Sequence, residues 1–285
     1  MKLIHYKNIR NYYTRNNTEF QKKYWDNIWN KKINNTKFNL IDLSLFLQLK
    51  RFLRKSNKII EAGCGDSRWA YNLHNLGYNV EGVDFAERTI KQIKNRFPYL
   101  KIFFSDVRNL NKYKNDSIDI YLSFGVVEHF PEGPLEILEE AYRVLKPNGI
   151  LFLTIPYLNK IRLIKLILGR KYIGSGNFYQ YIYSLFEILD YISNVGFTII
   201  KVKRYDFFGG IYKDLKTIFN LFKHIKDFII KSFYKKSQNI ELELFNINKY
   251  YKNNINISFK QKLFIILNLI FSNIESHSLL IIAKK

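Results

Sequence analysis

Two glycines and two aspartates are the residues of this sequence best suited to bind a nucleoside. Gly63 and Gly65 lie in a turn between an apolar segment and a predicted helix. Glycine lets the backbone approach a ligand closely, and the first turn of a helix presents N–H groups without intrahelical partners. Asp84 ends the next apolar segment, where a carboxylate can accept both hydroxyls of a ribose. Asp106 follows the third such segment, where it could accept from the exocyclic amine of an adenine.

The glycine turn departs from the dinucleotide-binding fingerprint. That fingerprint needs a third glycine three residues after the second, and Arg68 holds this position. Two glycines alone are also compatible with a tight turn that binds no ligand. The carboxylates at matching strand ends favour a ligand site, because ligands of open α/β sheets bind at the carboxyl ends of strands. We therefore expect a nucleoside ligand other than NAD.

Glu128 and His129 form the candidate catalytic pair, at the end of the fourth apolar segment. An unperturbed imidazole titrates near pH 6.5, so a neutral His129 could act as a base. The alternative is a histidine that only begins a helix and is satisfied by backbone groups. One carboxylate and one imidazole are too few ligands to predict a metal. The single cysteine, Cys64, is expected to fill space between the glycines, and it excludes an internal disulfide.

Apolar and amphipathic segments alternate from residue 58 onward. The predicted strands are 58–62, 79–84, 101–105, 117–123, 150–155, 197–205 and 278–283. The predicted helices are 40–53, 68–76, 86–97, 134–145 and one that begins with the capping box of Ser184 and Glu187. Strands that are apolar on both faces and separated by such helices indicate a parallel sheet covered on both sides. Right-handed crossovers make it a doubly wound α/β sheet.

Composition divides the chain into four predicted regions. Residues 1–57 form an N-terminal helical lid that contains an aromatic cluster at Tyr24–Trp29. The α/β core covers residues 58–208, a helical basic and apolar insertion covers 209–277, and 278–285 supply the last strand of the core sheet.

The net charge of +22 has two explanations. An A+T-rich coding sequence would give the abundant Lys, Asn, Ile, Tyr and Phe, whereas a real acidic partner would be RNA or an anionic lipid. The chain has no apolar run of the roughly 18–20 residues that cross a bilayer, and its N-terminus has no signal-peptide pattern. We therefore expect a cytoplasmic protein.

The insertion contains a predicted basic amphipathic helix within residues 213–236. Its apolar residues recur at helical spacing and are Leu215, Ile218, Phe219, Phe222, Ile225, Ile229 and Phe233. Lys216, Lys223 and Lys231 lie on the other side. Such a helix can lie on an anionic membrane surface, and the alternative is a helix that packs on the sheet or covers the substrate pocket.

An ordered set of motifs resembles the class I S-adenosylmethionine-dependent methyltransferases, and among them the methyltransferase type 11 group. The motifs are Glu61-x-Gly63-x-Gly65, Asp84, Ser105-Asp106, Asp119 through Glu128-His129, and Arg143 through Gly149. The resemblance covers about residues 24–205 and the last strand. It implies a seven-stranded, mostly parallel, Rossmann-like sheet whose last strand is antiparallel and lies between strands five and six. Asn148 stands where the family often has glycine.

The resemblance also implies S-adenosylmethionine as the cofactor and gives roles to residues around its methionine end. Gly63 and Gly65 would pass under the methionine moiety, and Glu61 would hold its amino group through water. Phe124, at the end of the fourth strand, would line the same side.

For the adenosine end, the resemblance assigns four further residues. Asp84 would bind the ribose, and Phe85 would pack on the adenine. Asp106 and Val107 would frame the adenine edge.

We expect a methyltransferase whose acceptor is a small molecule or a lipid-linked compound, methylated at oxygen. DNA is not expected as a substrate, because the chain lacks a Pro-Pro motif after the fourth strand and a cysteine away from the glycine loop. Two alternatives stay open: an RNA or protein methyltransferase, and a membrane-peripheral protein that binds the cofactor without turnover.

Overall fold

A computed structural model describes residues 3–7, 18–33, 42–159, 177–205 and 278–285. The chain divides into two units, one of residues 1–203 with 279–285 and one of residues 204–278. Nearly all of the second unit lies outside the described residues. The predicted amphipathic helix within residues 213–236 therefore stays a prediction.

The described residues form nine strands and six α-helices. The strands are β1 (Leu3–Lys7), β2 (Lys58–Ala62), β3 (Asn79–Asp84), β4 (Lys101–Phe104), β5 (Ile118–Phe124), β6 (Leu145–Pro156), β7 (Asn177–Ile182), β8 (Thr198–Tyr205) and β9 (Ser278–Lys284). The helices are α1 (Thr18–Ile33), α2 (Leu43–Leu49), α3 (Arg68–Asn75), α4 (Glu87–Arg96), α5 (Leu135–Val144) and α6 (Leu185–Asn194). A short 3₁₀ turn spans Val127–His129.

Seven strands form the core sheet in the order β4-β3-β2-β5-β6-β9-β8. Strands β4, β3, β2, β5 and β6 run parallel to their neighbours. β9 is antiparallel to β6, because Lys285 at its end exchanges backbone hydrogen bonds with Asn148 and Gly149 near the beginning of β6. The predicted seven-stranded, mostly parallel sheet with its last strand inserted before β8 is confirmed.

Apolar side chains on alternate strand positions fill the core. Ile60, Tyr121 and Leu153 are fully buried and belong to the cluster that packs against α5 and α6. Phe152 points to the opposite face of β6, where its ring lies 5.4 Å from Phe52, after α2. Among the described residues, no helix is long and apolar enough to cross a membrane.

Two predicted element boundaries were wrong. β6 begins at Leu145 rather than at the predicted residue 150, because the chain end at Lys285 pairs with Asn148 and Gly149. α2 begins later than predicted, because Asp42 caps it by accepting a hydrogen bond from the N–H of Leu45 at 3.0 Å. The predicted helix start at Ser184 is confirmed, since the Ser184 hydroxyl accepts a bond of 3.4 Å from the Glu187 N–H.

A second, two-stranded sheet was not predicted. β1 and β7 pair antiparallel, with Leu3 opposite Ile182 and Lys7 opposite Asn177. The two strands are far apart in sequence, so no local pattern reveals the pairing.

Candidate functional site

The carboxyl ends of four parallel strands place the predicted site residues along one edge of the sheet. In spatial order, Asp106 follows β4, Asp84 ends β3, Gly63 follows β2 and Phe124 ends β5. The chain order reverses between β2 and β5, since β3 and β4 lie on one side of β2 and β5 on the other. Ligands of doubly wound sheets bind at such a switch point.

The glycine turn is held by the end of the neighbouring strand. Gly63 and Gly65 have φ angles of 73° and 49°, in the region that favours glycine. The Gly65 N–H donates to Oδ2 of Asp84 at 2.8 Å, and the Ala86 N–H donates to Oδ1 at 2.9 Å. Asp84 is 4% exposed, and this burial raises the pKa of its carboxyl despite the N–H donors. Asp84 thus fixes the position of the turn and presents a carboxylate at the strand end.

Glu61 caps the helix that follows the glycine turn. Its Oε2 accepts a hydrogen bond from the N–H of Ala70, in the first turn of α3, at 2.8 Å. Ser67 precedes this helix but makes no side-chain cap and instead lies 3.3 Å from the sulfur of Cys64. Burial raises the pKa of Glu61 well above its ordinary range. Oε2 of Glu61 therefore has a structural role, because it holds the first turn of α3.

On the adenosine side, Asp106 is paired with an arginine that sequence reasoning missed. Arg108 donates from Nε to Oδ1 at 3.1 Å and from Nη2 to Oδ2 at 2.7 Å. Burial raises the pKa of Asp106, but the hydrogen bonds and charge of Arg108 outweigh it and hold that pKa below its ordinary value. Val107 is buried and Phe85 is half-buried beside this edge.

Helix α1 lies over the glycine turn. A Cβ added to Gly65 would lie 2.6 Å from the indole of Trp29, so the ring packs directly on this glycine. A Cβ on Gly63 would lie 2.5 Å from the side chain of Val126. Phe124 contacts Trp69 of α3, with ring centroids 4.8 Å apart. Both glycines are thus required by close packing as well as by their backbone angles.

Asp26 attaches α1 to the core. Its Oδ1 accepts from the backbone N–H of Thr89 at 3.1 Å and from the Thr89 hydroxyl at 3.2 Å. Thr89 lies in the first turn of α4, and Ala86, which precedes that helix, has no side chain able to cap it. At the other end of α1, Arg96 donates to the Ile33 carbonyl at 3.1 Å.

His129 has a defined tautomer. Its Nδ1 lies 2.8 Å from the carbonyl oxygen of Tyr179 in β7. A carbonyl only accepts, so Nδ1 carries the proton of the neutral ring and Nε2 is the nitrogen that can take up another. Trp25 of α1 packs edge-on against the imidazole with centroids 4.6 Å apart, and the Tyr179 ring lies 5.1 Å away.

Glu128 is buried next to this imidazole. It is 3% exposed, and its Oε1 lies 3.9 Å from Nε2 of His129. Burial raises the pKa of Glu128 to about 8, so the carboxyl holds its proton at neutral pH. Within the described residues, no group of three or more His, Cys, Asp or Glu side chains could hold a metal ion.

Comparison with known proteins identifies the domain that carries this edge. Residues 60–153 match the family model described as a methyltransferase domain. This segment contains the glycine turn, both aspartates, Glu128 and His129. This part of the chain is a methyltransferase domain.

Individual relatives support this methyltransferase assignment. A probable S-adenosylmethionine-dependent methyltransferase of Mycolicibacterium smegmatis is 29% identical over 98 residues, which are 34% of this chain and 37% of that protein. The ubiquinone biosynthesis O-methyltransferase of Actinobacillus pleuropneumoniae is 23% identical over 192 residues, covering 61% of this chain and 81% of that protein. The match thus spans little more than a third of the length of the first relative.

A solved structure shows the same fold in an S-adenosylmethionine-dependent methyltransferase from Archaeoglobus fulgidus. It aligns with 91% of this chain and 99% of its own, at 16% identity and a TM-score of 0.54.

Residues outside the matched segment also contact the methyltransferase domain. Trp25, Asp26 and Trp29 come from α1, and Tyr179 comes from β7. The aromatic cluster at 24–29 was a visible signal for α1. Tyr179 had none, because it acts through its backbone carbonyl on a residue fifty positions away.

Proposed function

We propose that this protein binds S-adenosylmethionine at the β2–β3 edge and transfers its methyl group to the oxygen of a small-molecule or lipid-linked acceptor. The observation that carries the proposal is the buried Asp84 carboxylate, bonded to the N–H groups of Gly65 and Ala86 at the switch point of a methyltransferase domain. The cofactor of this family contains an adenosine. This edge offers a carboxylate for its ribose and apolar surface for its adenine.

The residues present are compatible with that cofactor. Both oxygens of Asp84 accept backbone N–H groups, and the remaining lone-pair capacity of the carboxylate is available for a ribose hydroxyl. Phe85 and Val107 offer apolar surface for the adenine, next to the Asp106–Arg108 pair. Gly63, Gly65 and Phe124 would border the methionine end, and Glu61 would act there through its second oxygen or through water.

His129 is the proposed base. When bound, the cofactor supplies a methyl group on a sulfonium, and the sulfur leaves as a neutral thioether. An acceptor hydroxyl must lose its proton as its oxygen bonds to the methyl carbon, and Nε2 of His129 can receive that proton because Nδ1 already donates to Tyr179. A positioned general base contributes roughly 10²–10⁴-fold to a rate. Glu128, protonated beside it, cannot compete for the proton at neutral pH.

Two observations support oxygen as the acceptor atom. The ubiquinone biosynthesis relatives are O-methyltransferases and align with 61% of the chain. A base with a fixed tautomer suits a hydroxyl, which must be deprotonated.

Trp25 and Tyr179 place aromatic surface beside His129, as an apolar acceptor would require.

Calorimetry with S-adenosylhomocysteine tests the cofactor site. Asp84→Ala should weaken binding about 10- to 150-fold, the value of a charge-assisted hydrogen bond. Asp119→Ala is the matched control, because Asp119 also accepts a backbone N–H, from Lys58 at 2.7 Å, but lies at the opposite end of the sheet. Unchanged affinity in Asp84→Ala, with Asp119→Ala also unchanged, would remove Asp84 from the site.

Transfer of radiolabelled methyl groups identifies the acceptor class. Purified protein with labelled S-adenosylmethionine is incubated with a lipid extract, a glycan fraction and RNA. Label in the lipid or glycan fraction, lost in His129→Ala, is the expected result. Label in RNA alone would replace the proposed acceptor, and cofactor binding without label in any fraction would contradict the proposed turnover.

A further inference from the structure

The segment that orients His129 lies outside the core sheet. β7 pairs with β1 in the two-stranded sheet, and its Tyr179 carbonyl is the partner of Nδ1. A carbonyl can fix a tautomer only if its own position relative to the imidazole is fixed. The contacts that hold β7 against the turn of His129 therefore determine the tautomer.

Tyr181 makes a second bond between the same two segments. Its hydroxyl donates to the carbonyl oxygen of Pro131 at 2.7 Å, and its ring is 7% exposed. Tyr181 is two residues beyond Tyr179, and Pro131 is two residues beyond His129. The two bonds thus run side by side across one short interface, and each restrains the other.

We infer that Tyr181 is a positioning residue, which holds the Tyr179 carbonyl in place and thereby keeps the proton of neutral His129 on Nδ1. This inference rests on the proposed role of His129 as base, because only the Nδ1–H form leaves Nε2 able to accept a proton. Tyr181 acts through the backbone and touches neither acceptor nor cofactor.

The pairing of β7 with β1 holds the strand as a whole, and the Tyr181 bond holds it at the turn that carries His129. Trp25 packs against the imidazole without a hydrogen bond between the two rings in the described residues, and Oε1 of Glu128 lies at 3.9 Å from Nε2, beyond hydrogen-bond distance. The Tyr181 ring is held in turn by Tyr183, with centroids 5.6 Å apart, and Tyr183 is fully buried. The hydroxyl of Tyr181 is therefore presented to Pro131 from a packed side chain.

Nitrogen-15 NMR of the full chain, labelled at its five histidines, tests this inference. Two-bond proton–nitrogen correlations distinguish Nδ1–H from Nε2–H, and His129→Ala assigns the signal. Wild type should show the Nδ1–H form for His129. Tyr181→Phe should raise the share of Nε2–H at least threefold relative to Nδ1–H, since a hydrogen bond contributes about 1 kcal/mol.

Tyr113→Phe is the matched control. Tyr113 is also buried, and its hydroxyl donates to Oε2 of Glu81 at 2.8 Å, away from His129. The Nδ1–H form should persist in this variant. An unchanged tautomer in Tyr181→Phe would overturn the inference, and so would an equal change in both variants.

This test is separable from the proposed function. S-adenosylhomocysteine binding, measured on the same samples, should be retained in both variants and shows that they are folded. A tautomer change without any methyl transfer to lipid, glycan or RNA would uphold the role of Tyr181 and contradict the proposed turnover. Methyl transfer by the wild type, with an unchanged tautomer in Tyr181→Phe, would uphold the proposed turnover and contradict the role of Tyr181.

Discussion

Glu128 shows how burial alone can set the charge of a side chain. Among the described residues, its carboxyl has no ion pair closer than the 3.9 Å approach to His129, and desolvation raises its pKa to about 8. The unfolded chain would ionise the same group near its ordinary pKa of 4.5. Between these two values the folded protein keeps a proton that the unfolded chain releases, so stability falls as the pH rises.

Glu128→Gln should remove this pH dependence. The free energy of unfolding of wild type should decline by about 1 kcal/mol per pH unit between pH 5 and pH 8 relative to the variant, because glutamine does not titrate. Chemical denaturation at several pH values measures the difference.

Glu81→Gln provides a control of opposite sign. Burial raises the pKa of Glu81, but hydrogen bonds from Tyr113 and Lys112 outweigh it and hold that pKa below its ordinary value. The stability that the ionised Glu81 contributes is present above its unfolded pKa and is lost only as the pH falls below that value. Glu81→Gln should therefore leave the slope of unfolding free energy against pH unchanged between pH 5 and pH 8. Identical slopes in wild type and Glu128→Gln would mean that Glu128 is ionised in the fold.

At the scale of elements, α1 and α4 depend on one shared carboxylate. Ala86 cannot cap α4, and Asp26 supplies the missing acceptor from another helix. The same contact places Trp25 against His129 and Trp29 against Gly65. A cofactor above the glycine turn must therefore pack against Trp29 or displace its ring.

Asp26→Ala should release α1 as well as weaken α4. The loss of a cap lowers the free energy of unfolding by about 1–2 kcal/mol, and two of the three tryptophans lie on α1. Tryptophan fluorescence of the native variant should shift to longer wavelength as Trp25 and Trp29 become hydrated.

Asp42→Ala is the matched control, since Asp42 also caps a helix, but within its own segment. It should lower stability without the fluorescence shift. A shift of equal size in both variants would contradict a specific role of Asp26 in holding α1.

For the molecule as a whole, the net charge of +22 favours an anionic binding partner. We propose that residues 213–236, which lie outside the described residues, contact an anionic membrane surface. Each lysine near such a surface contributes about 1 kcal/mol, and salt screens this attraction over about 8 Å at physiological strength.

Vesicle sedimentation tests this membrane contact. The protein should sediment with anionic vesicles, less with neutral ones, and should be released by salt. Replacing Lys216, Lys223 and Lys231 with Glu should abolish binding. The same charge change at Lys31, Lys91 and Lys114, which are exposed on the described core, should preserve most of it. Equal sedimentation with both kinds of vesicle, or none with either, would contradict the proposal.

The core sheet and the cofactor edge follow from local patterns in the sequence. The predicted segments 58–62, 79–84 and 101–105 are short and apolar, so local pattern and turn residues identified them, and parallel pairing then placed Asp84 and Gly63 together. These residues are positioned by their own strand ends, and this information is local in the chain.

The contacts around that edge depend on tertiary packing. The β1–β7 pairing, the cap from Asp26 and the bond from His129 to the Tyr179 carbonyl join residues that are distant in sequence. Backbone carbonyls and N–H groups take part in all three, and every residue type except proline carries both, so no residue pattern marks the contact. The nucleoside edge could therefore be predicted from residue types, whereas the orientation of the base depends on how distant segments pack.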